Sequence, residues 1–298
     1  MAHIAEDKAW YSKIGAAVKE RVQGPGKDDG GRVHPEQIGN VPDEPRQWRG
    51  FVFADDLEQG VGPGLVSPFV EPPAQGAPKE QRLVVLRAQD RLSYTLRDGD
   101  GQELLIAKSR ADGLRFDFFR APGAGAQNAS TDGPEFSLVA LDKARKQWTL
   151  SALRCERCQS LGKRQCGKRE LVRIAQYVES LGEGQAFLMD VDFPTSTSAD
   201  STDAIVCESC GDPDAEWAMQ LTARRPKWNP KHKSLTLDFH GRCNLASAKN
   251  FQLEDPTEPG KVKLLFGKVS EHRFALDYRY PLGMIQAFSA AVSVSHWT

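Results

Sequence analysis

Two Cys-x-x-Cys pairs carry the densest chemistry in this sequence. Cys155 and Cys158 lie in "LRCERCQSLGKRQC" (153–166), and Cys207 and Cys210 lie in "VCESC" (206–210). Each pair can chelate, and four thiolates form the closed donor set of a structural zinc ion. The 48 residues between Cys158 and Cys207 exceed the roughly 15 to 20 of a zinc ribbon. A shared site therefore requires the fold to bring two distant segments together, and free thiols are the alternative. Cys166 is a spare ligand, and Cys243 is expected to be packed. From Arg154 to Arg173 the chain has seven Lys/Arg against two Glu. With a net charge of −1 overall, that cluster suits a partner surface better than a grip on nucleic acid.

A second basic stretch, "RRPKWNPKHK" (224–233), holds five Lys/Arg and no acid. Pro226 and Pro230 predict a loop, able to meet anionic lipid or an acidic protein surface. His240 stands alone in "DFHGRC", where a structural role on a strand fits better than catalysis. Arg242 and Lys249 are expected to pair with acidic neighbours. No Ser-His-Asp order or metal-binding His pair stands out, and "GVGPG" (60–64) opens no helix and so makes no nucleotide fingerprint. An enzyme is not expected, and no cofactor beyond a structural zinc.

The elements that must position these residues are mostly strands. "RLVVLRA" is an apolar run, and "LSYTLRDGDGQELLIAKS" places Asp98–Gly101 between alternating runs, a hairpin signal. "GLRFDFFR" alternates again, and "EFSLVALD" with "KQWTLSAL" predicts a hairpin around 142–145. "GQAFLMDVDF" and "EWAMQLTA" read as further strands. "RELVRIAQYVESLG" (169–182) predicts a helix, with Leu171, Ile174, Ala175, Val178 and Leu181 on one stripe and Gly182 as its stop. Upstream, Trp10, Ile14, Val18 and Val22 suit a short helix over 4–22. The Gly/Pro-rich chain that follows makes residues 1–80 an arm, for which a protein partner is one use.

The last segment, "YPLGMIQAFSAAVSVSHW" (280–297), is apolar on nearly all sides yet shorter than a bilayer crossing. A helix of this kind has to be buried, and the preceding strands can supply the wall. The expected fold is mainly β, a closed antiparallel β-barrel wrapped around a hydrophobic C-terminal helix. Hydrophobic residues at 40% suffice for such a core. The N-terminus lacks the apolar run of a secretory signal, which points to a cytoplasmic, reducing setting.

"LTLDFHGRCNLASAKNFQLED" (235–255), "LLFGKVSEHRFALDYRYPL" (264–282) and "QAF" (286–288) resemble, in this order, the C-terminal motifs of the tubby-like family. The resemblance covers 217–298. It implies a barrel domain over 81–298, with a divergent Cys-containing region at 153–211. It also implies phosphoinositide binding, notably of the 4,5-bisphosphate, by a basic pair that follows an apolar strand after a DG turn. "DGDGQELLIAKSR" has that shape and points to Lys108 and Arg110, with Arg145 as the contribution of a later strand. An ammonium and a forked guanidinium two residues apart can straddle one phosphate. The implied function is a non-enzymatic adaptor on phosphoinositide-bearing membrane, peripheral to it. Such an adaptor would take a protein partner through the N-terminal arm and act in ciliary traffic. The alternative is a structural scaffold of the axoneme or cilium that reuses the barrel with little or no lipid binding.

Overall fold

Period-two alternation of apolar and polar residues sets the architecture. The computed structural model describes residues 69–77, 80–122, 133–153, 169–194 and 219–297. The strands are β1 (Gln81–Arg87), β2 (Ser93–Arg97), β3 (Glu103–Ser109), β4 (Arg115–Arg120), β5 (Phe136–Ala140), β6 (Gln147–Ala152), β7 (Arg169–Leu181), β8 (Gly184–Phe193) and β9 (Met219–Ala223). They continue with β10 (Lys227–Asn229), β11 (Ser234–Thr236), β12 (Phe251–Glu254), β13 (Val262–Lys268) and β14 (Arg273–Tyr278). Twelve of them close a barrel in which chain neighbours pair. The two further seams are β1 with β14, and β9 with β12. Both seams are antiparallel, and the first runs from Gln81↔Tyr278 to Leu86↔Arg273.

One helix, α1 (Met284–Ser293), fills the barrel, and all ten of its residues are buried. Phe288 meets Phe118 of the wall edge-on, with ring centroids 5.6 Å apart. Burying a Phe or Leu of this kind contributes about 1.5–3 kcal/mol, so the helix and the wall stabilise each other. Its polar residues have partners. Gln286 accepts from the Gly283 N–H at 2.7 Å and donates to the Leu171 carbonyl at 3.2 Å. Ser293 accepts from Gln176 Nε2 at 2.9 Å, and Gln176 accepts from Trp297 Nε1 at 3.0 Å. Thus the few hydrophilic groups of the helix fix its rotation inside an otherwise apolar sleeve.

The helix gives the barrel two unlike ends. At the entry end, the Ile285 N–H donates to the Phe69 carbonyl at 2.8 Å, and Phe69 is itself buried. Gly283 is required here, because a Cβ would come within 2.2 Å of the Val70 carbonyl oxygen. At the exit end, Trp297 stacks on Phe187 with centroids 5.4 Å apart, and His296 lies beside Trp148.

The helix expected over 169–182 is instead β7, the longest of the described strands. Val172, Ile174 and Gln176 are buried while Arg173 is exposed, a period of two. The apolar stripe fits both periods, and Val172, Ile174, Tyr177 and Val178 favour the pleated surface. Gly182, with φ +65°, turns a two-residue hairpin into β8, where Leu181 pairs with Gly184. The loop expected over 224–233 contains half of a second hairpin, β10–β11. Phe239 and His240 do not alternate on a strand: they lie in a turn, and His240 has φ +50°. The helix expected over 4–22 lies outside the described residues, and so does the arm apart from 69–77 and 80.

That turn belongs to a strap, residues 237–250, laid across the outer face of β13 and β14. Arg242 makes two hydrogen bonds of 2.6 Å to Asp277, which is buried beneath it. Gly267 makes room for the strap, since a Cβ there would meet Cys243 Cβ at 2.9 Å. Lys249, expected to pair with an acid, instead donates to the Trp297 carbonyl. The strap therefore joins the outside of the wall to the chain leaving its interior.

Candidate functional site

Three turns at the exit end share one construction. In each, an N–H closes back over three residues: Arg91 to the Ala88 carbonyl, Gly113 to Arg110 and Arg145 to Asp142, at 2.9–3.1 Å. Each has an Asp whose carboxylate accepts backbone N–H groups. Asp90 takes that of Leu92, Asp112 that of Leu114, and Asp142 those of Lys146 and Gln147. Desolvation works against the Asp142 carboxylate, but these N–H donors prevail and hold its pKa below the ordinary value. In each turn the residue closing the bond has positive φ: Arg91 +61°, Gly113 +65° and Arg145 +58°. Gly suits that conformation, whereas a longer side chain costs about 1 kcal/mol. Two of the three positions nevertheless hold Arg.

Lys108 and Arg110 come together here. Lys108 is exposed on the outer face of β3, and its Nζ lies 5.0 Å from the Phe119 ring centre. Arg110 is one residue past the strand, but its N–H still bonds the Arg115 carbonyl at 2.9 Å. The ladder thus continues, and both cations keep the outward parity. Arg145 belongs to the next rim turn and reaches the same place. Its Nη2 donates to the Asp112 carbonyl at 2.9 Å, within the turn that Arg110 begins. Its guanidinium packs against Gly113, where a Cβ would come within 3.0 Å of Nη2. Arg145 therefore braces the two turns, whereas Lys108, resting over Phe119, and Arg110 are exposed.

The charge pattern separates this rim from the rest of the barrel. Along the walls and at the entry end cations are neutralised: Arg97 by Glu103, Arg115 by Asp117, Arg120 by Glu135, and Lys261 and Lys263 by Glu258, while at the exit end Arg225 is paired with Glu179. At the rim, Arg91, Lys108, Arg110, Lys143, Arg145 and Lys146 face three Asp. Among the described residues none of these six forms an ion pair. The carboxylates instead satisfy their own turns, so the rim presents a net positive field to solvent. The β10–β11 hairpin adds Lys227, Lys231 and Lys233 at the same end. Trp228 anchors it against Gly182 and Gly184 at the tip of the β7–β8 hairpin. Arg91, Lys143 and Lys146 were not singled out from sequence, because they sit in turns that only the strand order makes neighbours.

The four cysteines expected to bind zinc, Cys155, Cys158, Cys207 and Cys210, lie outside the described residues, as does Cys166. The strand ends that flank their segments, Ala152 with Arg169 and Phe193 with Met219, stand together at the entry end. Cys243 is half-buried in the strap, with the Leu245 and Lys268 carbonyls at 3.2 and 3.4 Å. Burial raises its thiol pKa.

Comparison with known proteins finds a family that the C-terminal part of this barrel resembles. The Tub family model matches residues 160–296. Residues 160–296 are therefore similar to the Tub family. The tubby-like match therefore begins well upstream of 217 and takes in β7 to β14 with α1. Strands β1 to β6, which carry Lys108, Arg110 and Arg145, lie outside it yet complete the same barrel. Tubby protein homolog 1 of Caenorhabditis briggsae is 46% identical over 76 residues, covering 26% of this chain and 18% of that protein. Its namesake in Caenorhabditis elegans is 41% identical over 76 residues, with the same coverage. Protein king tubby of Drosophila sechellia is 45% identical over 75 residues, covering 25% of this chain and 17% of that protein. The matched segment thus spans less than a fifth of these tubby relatives. No described helix is long and apolar enough to cross a membrane.

Proposed function

We propose that this tubby-like protein is a non-enzymatic phosphoinositide-binding adaptor that links a membrane to a protein partner in ciliary traffic. The observation that carries the lipid part is the rim itself: six cations without carboxylate partners, gathered on three neighbouring turns at one end of the barrel. An unpaired ammonium or guanidinium held on a rigid strand or turn gives up no existing ion pair when it meets a phosphate. Lys108 and Arg110 are the contacts, and Arg145 holds their turn against its neighbour. The protein acts peripherally from the cytoplasmic side, with the N-terminal arm taking the partner.

Sedimentation with phosphatidylcholine vesicles, with and without a bisphosphorylated phosphoinositide, tests this. Each basic residue near an anionic surface contributes about 1 kcal/mol. Lys108→Ala/Arg110→Ala should therefore weaken binding by about 30-fold. Wild type without preference for the phosphoinositide, or a double variant that binds as well, would refute the lipid site. Retention with the detergent-extracted cytoskeleton would then favour a structural scaffold.

A further inference from the structure

Among the described residues three large apolar side chains stand exposed: Leu92 at 43%, Leu141 at 68% and Val178 at 52%. A single exposed leucine is ordinary. Here all three fall at the exit end. Leu92 closes the β1–β2 turn, Leu141 opens the β5–β6 turn, and Val178 lies on β7 beyond Ala175, which pairs with the first residue of β6. Strands β2 to β5 are consecutive neighbours in the wall. With three spacings of about 4.8 Å from β2 to β5, the two leucines stand about 14 Å apart along the rim. Lys108 and Arg110 lie between them, at the β3–β4 turn.

The turns hold these leucines outward by bonds of their own. Asp90 accepts the Leu92 N–H at 2.9 Å, and the Leu92 carbonyl accepts the Ser109 N–H at 2.6 Å. The Leu141 N–H donates to the Gln147 carbonyl at 2.8 Å, and Asp142 caps the residues that follow. Both leucines are therefore fixed in place. Each also has unpaired cations beside it, Arg91 next to Leu92 and Lys143 near Leu141.

We infer that the exit end is a membrane-inserting rim: Leu92 and Leu141 enter the acyl boundary of an anionic bilayer while the flanking cations stay at headgroup level. Val178 lies at the same end, alongside them. The inference rests on the phosphoinositide reading above and adds a contact with the bilayer that a headgroup alone does not supply. Two apolar tips either side of a phosphate site fit a surface that is anionic outside and apolar a few ångströms in. A soluble polyanion matches only half of that pattern.

The test compares vesicles with the free headgroup. Wild type and Leu92→Ser/Leu141→Ser are titrated with phosphatidylcholine vesicles containing phosphatidylinositol bisphosphate, and separately with soluble inositol trisphosphate. Each leucine should account for about tenfold in vesicle affinity when it leaves water for the acyl boundary. The double variant should thus lose on the order of a hundredfold on vesicles. Its affinity for inositol trisphosphate and its melting temperature should match wild type, since both leucines are exposed. Leu92→Ser/Leu141→Trp should bind vesicles better than Leu92→Ser/Leu141→Ser, because Trp favours the interface. Vesicle affinity of the double variant within twofold of wild type would overturn the insertion while leaving the headgroup site intact. Wild type that binds neither vesicles nor inositol trisphosphate would overturn the headgroup site, and the insertion with it.

Discussion

Removing the Arg242 guanidinium should loosen the strap and weaken the whole barrel. The Asp277 side chain is 7% exposed and takes both of its short hydrogen bonds from Arg242. This partnership is the largest cause of the raised Arg242 pKa, outweighing the burial that would lower it. In Arg242→Ala a buried carboxylate loses both of these hydrogen bonds, which costs about 3–5 kcal/mol for fully buried pairs. Arg242 is itself 31% exposed, so water can partly replace it and the lower figure of about 3 kcal/mol applies. For a cooperative unit of 150–250 residues, each kcal/mol moves the melting temperature by about 2–4 °C. Calorimetry should therefore show a fall of about 6–12 °C. Arg242→Leu/Asp277→Leu should recover at least half of that loss, because the double change leaves no orphaned charge. An Arg242→Ala protein melting within 2 °C of wild type, or a double variant no better than the single, would refute the strap as a clamp.

Three further outcomes follow from the geometry. Arg91→Gly should stabilise the fold by up to about 1 kcal/mol, since Gly suits the positive φ, while weakening vesicle binding several-fold. Loss of stability on chemical denaturation, or unchanged binding, would show that Arg91 is kept for structure. His296 is held neutral, with a pKa of about 4, chiefly by burial and then by the nearby charge of Arg145. Its folded pKa lies below the unfolded 6.5, so stability should fall as the pH drops from 6.5 towards 4, by about 2 kcal/mol after discounting for partial exposure. His296→Gln should flatten that part of the pH–stability curve; an unchanged slope would place the acid sensitivity elsewhere. Lys249 is lowered to about 8, mainly by burial and then by Arg87, Lys268 and Arg91. Its contribution has the same sign at higher pH, with stability rising from pH 8 to about 10.5, and Lys249→Met should abolish that rise.

The sequence showed the barrel and its buried helix through two independent signals, period-two runs and one segment apolar all round. It failed at β7 because Leu171, Ile174, Val178 and Leu181 fit a helical stripe while Val172, Ile174 and Gln176 fit a strand. Only the partners on either side, β6 and β8, decide between the two. The β10–β11 hairpin was hidden by Pro226 and Pro230, which flank its first strand and so permit it. For Lys108 and Arg110 the local pattern sufficed to place them at the end of one strand, on its outward parity. The rest of the rim was illegible: Arg91, Leu92, Leu141 and Lys143 are unremarkable turn residues until strand order places their turns at one end. Nor could spacing show that the acids of these turns, Asp90, Asp112 and Asp142, are spent on backbone N–H groups.

Hydrogen exchange with and without phosphoinositide vesicles tests most directly that this end of the barrel is the binding surface. Amides of residues 88–92, 110–114 and 141–147 should become protected together when the vesicles carry bisphosphorylated lipid. The entry-end turns at 98–102 and 255–261 should exchange as before. Protection confined to the entry end, or none at saturating lipid, would contradict the central claim.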